Sequence, residues 1–423
     1  MIICAVNQCV SAGASMENKP IYFDNNDTTP MLEPVFEAMR PYFIERFGNP
    51  ASLHQYGLDA EEVVNAARES LAGLIGAQSE ELIFTGSATE ANNLALFGIA
   101  RSAPESKRHL ITSKIEHNAV INPMKRLQKE GFKVTYLDVD GEGFVNPDDL
   151  KAEITPQTLL VSIVHGNHEI GTIQDLEALG GICRERGVLF HTDAAQSFSK
   201  VPLNLGNLPV DLMSVNAHKL HGPKGIGALY IRKGVTVEKI MEGAPQEFNL
   251  RPGTENVPAI VGFAEAAQIA FENMEADTAH MSSLRDKLID QLLEIPHTHL
   301  NGPRGDRRLP SNADITFRYI EGEAILMHLS MKGVYVSSGS ACSSKSLTPS
   351  NVLTAIGLKH EDAHGSIRFS FSKLNTADEV DLAVQKVKEV VELLRSMTAF
   401  IPEIHSEVEG KGKGFYHKKK DEL

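Results

Sequence analysis

From Ile21 to about Val261 the chain alternates short β-branched runs with stretches of helical hydrophobic period. A sequence with that rhythm buries its strands only by laying them side by side, largely parallel, under a cover of helices. Strands are predicted at 81–84, 109–112, 133–139, 159–164, 188–192, 211–215 and 227–232. Between them lie amphipathic segments: over 59–75, Val63, Ala67, Leu71 and Leu74 share one face, and Leu176, Leu179 and Ile182 mark a similar stripe. The Gly- and Pro-rich stretch 243–253 reads as a long loop. Beyond it the pattern changes to helices near 258–276 and 280–293, a strand at 315–319, a helix at 323–331, strands at 334–337 and 367–371, and a helix at 377–394. The predicted architecture is α/β. A large domain over 21–262 holds a mainly parallel sheet between helices, the first residues of its arm join a smaller α/β domain over 263–400, and these are flanked by an extension at 1–20 and a polar tail at 401–423.

Composition removes several function classes. The 423 residues carry 41 Lys+Arg against 55 Asp+Glu, a net charge of −14, which disfavours direct nucleic-acid binding. Hydrophobic residues at 42% and charged residues at 23% are ordinary globular usage. No uncharged apolar run approaches the roughly 18 residues that cross a bilayer, so a cytoplasmic protein without membrane contact is expected. The cysteines, Cys4, Cys9, Cys183 and Cys342, form no C-x-x-C pair and no zinc spacing, so no metal site is predicted. The start makes a poor signal peptide and leaves Met1 and Met16 as alternative first residues. Lys420-Asp421-Glu422-Leu423 spells a retention address that is read here as coincidence beside a Lys-rich tail.

Three features carry chemistry. The strand at 81–84 runs into Thr85-Gly86-Ser87-Ala88-Thr89-Glu90 and then a helical run. Small and hydroxyl residues at that junction make an anion site, because free N–H groups and the positive dipole end converge there. No GxGxxG or Walker lysine accompanies it, which favours a single phosphate over a nucleotide. The strand at 188–192 ends in Asp193, and a carboxylate at a buried strand end needs a cationic or donor partner. The strand at 211–215 delivers Asn216-Ala217-His218-Lys219 ahead of the turn Gly222-Pro223-Lys224-Gly225. A lysine so placed can be desolvated to a neutral, Schiff-base-forming amine. Phosphate cradle, strand-end Asp and strand-end Lys are the parts that pyridoxal 5'-phosphate (PLP) requires.

These residues stand among others in a recognisable order: Tyr22-Phe23-Asp24-Asn25-Asn26, Phe47-Gly48-Asn49-Pro50-Ala51-Ser52, the run 113–117, the run 193–197, His218-Lys219, Arg251 with Gly253-Thr254, the run 337–343, and Ser366-Ile367-Arg368-Phe369-Ser370. Over about residues 20–400 the chain resembles the cysteine desulfurases of the iron-sulfur-cluster and nitrogenase type, in the class V aminotransferase superfamily of PLP fold type I. The resemblance implies that Lys219 carries PLP and later shuttles the Cα proton, that Asp193 pairs with the pyridine nitrogen, that His117 stacks on the ring and that Gln196 bonds the ring hydroxyl. It implies phosphate contacts from Ala88, Thr89 and His218, with Thr254 reaching in from the second subunit of a homodimer. Arg368, with Asn167, would bind the carboxylate of the substrate L-cysteine in forked geometry. Cys342, in the small polar run Ser337-Ser338-Gly339-Ser340-Ala341-Cys342-Ser343-Ser344-Lys345, would attack the substrate sulfur and keep it as a persulfide for an iron-sulfur scaffold or another acceptor such as a tRNA-thiolation protein.

The chain departs from that family at Asp27 (usually Ala), at Gly86-Ser87 (reversed), at His168 (Asn, at the ring hydroxyl), at Asn216 (Ser), at Pro245 (a small residue) and at Pro252 (Ser). His168 and Asn216 therefore stand at cofactor contacts with altered side chains, and weaker cofactor retention is expected. Alternative readings are a selenocysteine lyase or aminotransferase of the same superfamily, and a weakly active homologue that serves as a sulfur-transfer binding partner.

Overall fold

The computed structural model describes residues 20–338 and 350–398. The N-terminal extension, the segment carrying Cys342 and Lys345, and the polar tail lie outside them.

In chain order the strands are β1 (Ile21–Tyr22), β2 (Leu82–Thr85), β3 (His109–Ser113), β4 (Lys133–Leu137), β5 (Thr158–Ser162), β6 (Leu189–Asp193), β7 (Leu212–Asn216), β8 (Gly227–Ile231), β9 (Thr298–Asn301), β10 (Asn312–Phe317), β11 (Val334–Tyr335), β12 (Ser337–Ser338) and β13 (Ser366–Ser370). A seven-stranded sheet has the order β2-β8-β7-β6-β5-β3-β4. Its β4, β3, β5, β6 and β7 are mutually parallel, while β8 runs antiparallel to both β7 and β2. The reversal has a local cause: only residues 217–226 join β7 to β8, with Gly225 at φ 80, too short for a helical crossover. Strands β2, β3, β5, β7 and β8 are buried along their whole length, as expected where helices cover both faces.

Gln55–Leu74 and Val257–Glu272 pack on one face of this sheet. In the first helix the buried face is Ala60, Val64, Ala67 and Leu71, whereas Val63 and Leu74, predicted to lie there, are only partly buried at its margin. The second helix crosses the predicted boundary at 262, and Phe263, Ala266 and Ala267 still belong to this core.

A separate antiparallel sheet has the order β12-β13-β10-β9. The helices Met274–Leu292, Gly322–Met331 and Ala377–Ser396 share its core, which also takes in Ile21 and Phe23 of the N-terminal arm. The arm is stitched on by parallel pairing of β1 with β11 and by Asn25, whose Nδ2 donates to Ser370 O at 2.9 Å. The strand predicted at 334–337 is split: β11 pairs with the arm and β12 with β13. The arm then carries residues 24–29 to the C-terminal end of the parallel strands, where open α/β sheets hold their ligands.

Candidate active site

Ser87 caps the helix Ala88–Ser102, its Oγ accepting from Glu90 N at 3.1 Å. Glu90 answers by accepting from Gly86 N at 2.8 Å and from Arg251 Nε at 2.8 Å, which fixes the turn to the 251–256 loop. Strand β8 touches the turn from below. A Cβ on Gly227 would lie 2.7 Å from the Ser87 carbonyl carbon and 2.9 Å from Ala88 N, so only glycine lets the strand approach. The helix N-terminus is thereby aimed into a cavity of about 330 Å³.

Nine of the residues that the sequence assigns to the cofactor line that cavity: Ala88, Thr89, His117, His168, Asp193, Gln196, Asn216, His218 and Lys219. Asp193, at the end of β6, is buried and satisfied by Ala195 N at 2.9 Å and Asn92 Nδ2 at 2.7 Å. Asn216, at the end of β7, accepts from Lys219 N at 3.3 Å and so shapes the turn that presents the lysine. His218 Nδ1 is 3.2 Å from Thr28 Oγ1, and its carbonyl accepts from Thr29 Oγ1 at 2.9 Å, tying the arm across the same turn. His117 caps the helix Asn118–Lys129 through Nδ1 and turns its ring toward the edge of His168, 5.1 Å between centroids. Burial, reinforced by His168, pushes the His117 imidazole down to about 4; burial and Lys219 do the same to His218. Both rings are neutral at pH 7.

Three predicted residues stand apart from the lining. Asn167 spends its carboxamide on its own loop: Nδ2 donates to Ile115 O at 2.8 Å, and Oδ1 accepts from the N–H groups of Glu169 and Ile170 at 2.9 Å each. It is not among the residues that line the cavity, and its oxygen is engaged by those two turn N–H groups. Thr254 is exposed and outside this cavity's lining. Arg368, on β13, is buried behind Asp27; its Nη2 donates to Asp27 at 2.6 Å and Asp24 at 3.2 Å, and its Nη1 to His168 O at 3.1 Å. Cys342 falls outside the described residues.

Asp27, Asn92 and Glu116 were not singled out as site residues, though each borders the site. Asn92 is a polar side chain on the buried face of a helix, the one sequence signal that could have marked it. Glu116 accepts from Ser113 Oγ at 2.5 Å and Val164 N at 2.9 Å, and burial raises its carboxyl to about 8. Burial would raise Asp27 as well, but the Arg368 guanidinium, with Lys219 and His168, holds it below the usual carboxylate range. Asp24, half-buried beside Asp27, is pushed up to about 6 by partial burial and by the Asp27 charge.

The buried polar atoms that lack partners show what the cavity is built to receive. Gln196 donates through Nε2 to Asn26 O at 2.9 Å, while its Oε1 and the Nδ1 of His168 have none. A ligand with a hydroxyl group beside an aromatic ring, an acidic group for the helix N-terminus and a ring nitrogen for Asp193 would satisfy this set.

The sequence profile of the family described as aminotransferase class-V matches residues 21–383. The cysteine desulfurase IscS of Methanosarcina thermophila is 46% identical over 398 residues, covering 94% of this chain and 98% of that protein. Among solved structures, a NifS-like protein superposes with a TM-score of 0.84 at 40% identity, over 89% of this chain and all (100%) of that one. A structure of SspA in complex with cysteine superposes with a TM-score of 0.74 at 35% identity, over 84% and 100%. The chain belongs to the class-V aminotransferases and, within them, to the cysteine desulfurase family. Among the described residues no helix is long and apolar enough to cross a membrane, and no group of His, Cys, Asp and Glu could hold a metal ion.

Proposed function

We propose that the chain is a PLP-dependent cysteine desulfurase that works as a homodimer in the cytoplasm. One observation carries this reading: a helix N-terminus at Ala88 and Thr89, the strand-end carboxylate of Asp193 and the strand-end amine of Lys219 converge on a single cavity. When bound, PLP supplies an electron sink for bonds made and broken at the substrate's Cα. The first turn of the helix and His218 would hold its phosphate, Asp193 its ring nitrogen, Gln196 and His168 its ring oxygen, and the neutral His117 ring one face.

The chain's own residues then divide the work. Lys219 holds the cofactor and moves the Cα proton, its place set by the Asn216 bond to the turn. Arg368 orients the carboxylate of L-cysteine. The Cys342 thiolate attacks the substrate sulfur; a sulfur–sulfur bond forms, the Cβ–sulfur bond breaks, and a proton completes Cβ, leaving L-alanine and an enzyme persulfide. That sulfane sulfur passes to an acceptor thiol on an iron-sulfur scaffold or tRNA-thiolation protein. A reducing compartment keeps such a thiol available between turnovers.

The dimer is supported by the segment 43–58, where Phe43, Ile44, Phe47, Leu53 and Tyr56 are all exposed and Phe47 and Tyr56 lie 5.6 Å apart. An apolar strip of that kind marks an interface. Exposed Thr254 is then available to a neighbouring cavity.

Borohydride reduction of the yellow holoprotein tests the reading. The pyridoxyl group is expected on Lys219 and no colour is expected in Lys219→Ala. Attachment to Lys200 or Lys224, or a wild-type protein that takes up no PLP, contradicts it.

A further inference from the structure

The seat proposed for the substrate carboxylate already holds a carboxylate. Arg368 is 3% exposed, and its Nη2 donates to Asp27 Oδ1 at 2.6 Å and to Asp24 Oδ1 at 3.2 Å. Its Nη1 is turned to His168 O at 3.1 Å, and its Nε is buried without a partner. Asp27 lines the cavity with Lys219, whereas Arg368 does not. Seen from the cavity, the guanidinium is capped by Asp27, and the Arg368, Asp24 and Asp27 cluster offers no surplus positive charge to an anion while both carboxylates are ionised.

The cap is a fixture of the fold. The turn that carries it is pinned on both sides: Asp27 N donates to Asp24 O at 3.1 Å, Asn26 N to Ser370 Oγ at 2.9 Å, and Thr29 N to His218 O at 3.0 Å. Moving Asp27 aside means breaking a charge-assisted bond in a site half shut from water, a kind of bond stronger than a neutral one.

We infer that Asp27 is a specificity-determining residue: it occupies the carboxylate seat of Arg368, so that L-cysteine has to displace it in order to bind, whereas an aminothiol whose carboxylate is masked, such as a cysteine amide, does not. The inference rests on the desulfurase reading for the role of Arg368. An incoming α-carboxylate has to displace Asp27 from Arg368 and then sit near it. An amide leaves the Asp27–Arg368 pair intact and offers an N–H to the Asp27 oxygen that Arg368 does not engage.

Two measurements on the holoprotein separate this from the parent reading. Calorimetric titration with 3-mercaptopropionate, a thiol carboxylate with no amine, reads the seat without turnover. Asp27→Ala and the near-isosteric Asp27→Asn are each expected to bind it at least tenfold more tightly than wild type. Steady-state kinetics read the choice: wild type is expected to use L-cysteinamide with a kcat/KM at least equal to that for L-cysteine, and both variants to shift that ratio tenfold or more toward L-cysteine, through KM rather than kcat. Equal affinity for 3-mercaptopropionate in all three proteins, or no measurable binding to any of them, overturns the inference even if wild type releases alanine. Tighter binding in the variants with no alanine from any protein upholds the capped seat and refutes the desulfurase reading instead.

Discussion

Asn92 Nδ2 sits 2.7 Å from Asp193 Oδ2, so the helix that opens the anion cradle also holds the carboxylate at the far end of the cavity. Both side chains are buried, and Asn92 Oδ1 has no partner of its own. One amide thus fixes the spacing between the two ends of the cavity.

Asn92→Leu should therefore weaken PLP retention more than it weakens folding. Losing a donor to a buried carboxylate costs about 1–3 kcal/mol, roughly tenfold to hundredfold in an equilibrium. Equilibrium dialysis of PLP against wild type and variant checks this; equal retention would mean that Ala195 N alone positions Asp193.

Glu247 ties the 246–249 turn to the large sheet and its covering helix. It forms a forked pair with Arg68, 2.7 Å at each oxygen, and accepts from Phe84 N at 2.7 Å. It also begins three successive residues with positive φ: Glu247 (47), Phe248 (55) and Asn249 (64). Such backbone persists only where its surroundings hold it. Arg68 further lies over the Phe84 and Phe248 rings at 4.7 and 5.2 Å. Glu247→Ala leaves a buried guanidinium unpaired and should cost about 3–5 kcal/mol of stability in urea unfolding. A loss under about 1 kcal/mol would show that the rings alone hold Arg68 and the turn.

Stability should peak near neutral pH. Burial pushes His117, His165, His191, His218 and His221 down to about 4, so on acidification below 6.5 the unfolded chain takes up protons that the fold refuses, and stability falls toward pH 4. Burial raises Glu116 to about 8 and Asp314 to about 7, so both are protonated in the fold at mildly acid pH, and the stability that this confers is lost as pH rises through 7 to 8. Thermal unfolding from pH 4.5 to 8.5 is expected to give a maximum between about 6 and 7, on the sign of these proton balances. A monotonic rise to pH 8.5 would contradict the protonated state of Glu116.

The chemistry was legible where it coincides with strand ends. Asp193 and Lys219 follow short strand-forming runs, and Ala88 and Thr89 open a helix after a strand, so sequence order places them at the same end of a mainly parallel sheet. What could not be read was pairing between distant segments. Asp27 and Arg368 stand 341 positions apart, and nothing in either neighbourhood names the other. Asn167 shows the converse: the family resemblance implied a ligand, while the Glu169 and Ile170 N–H groups engage its oxygen. The direction of β8 within the mainly parallel sheet could not be read, because a strand buried along its whole length gives the same apolar run whichever way it runs.

Sulfur transfer itself is the decisive test, and Cys183 supplies the internal control. Among the described residues Cys183 is the free cysteine, buried, with burial pushing its thiol up to about 12, so it stays an unreactive thiol at neutral pH. Holoprotein given L-cysteine without reductant, then digested and mapped by mass, should carry one added sulfur atom on the Cys342 peptide in step with one L-alanine released. Cys342→Ser should keep the yellow colour and release no alanine. Sulfur found on Cys183, or cysteine consumed with no alanine formed, would contradict a cysteine desulfurase that works through Cys342.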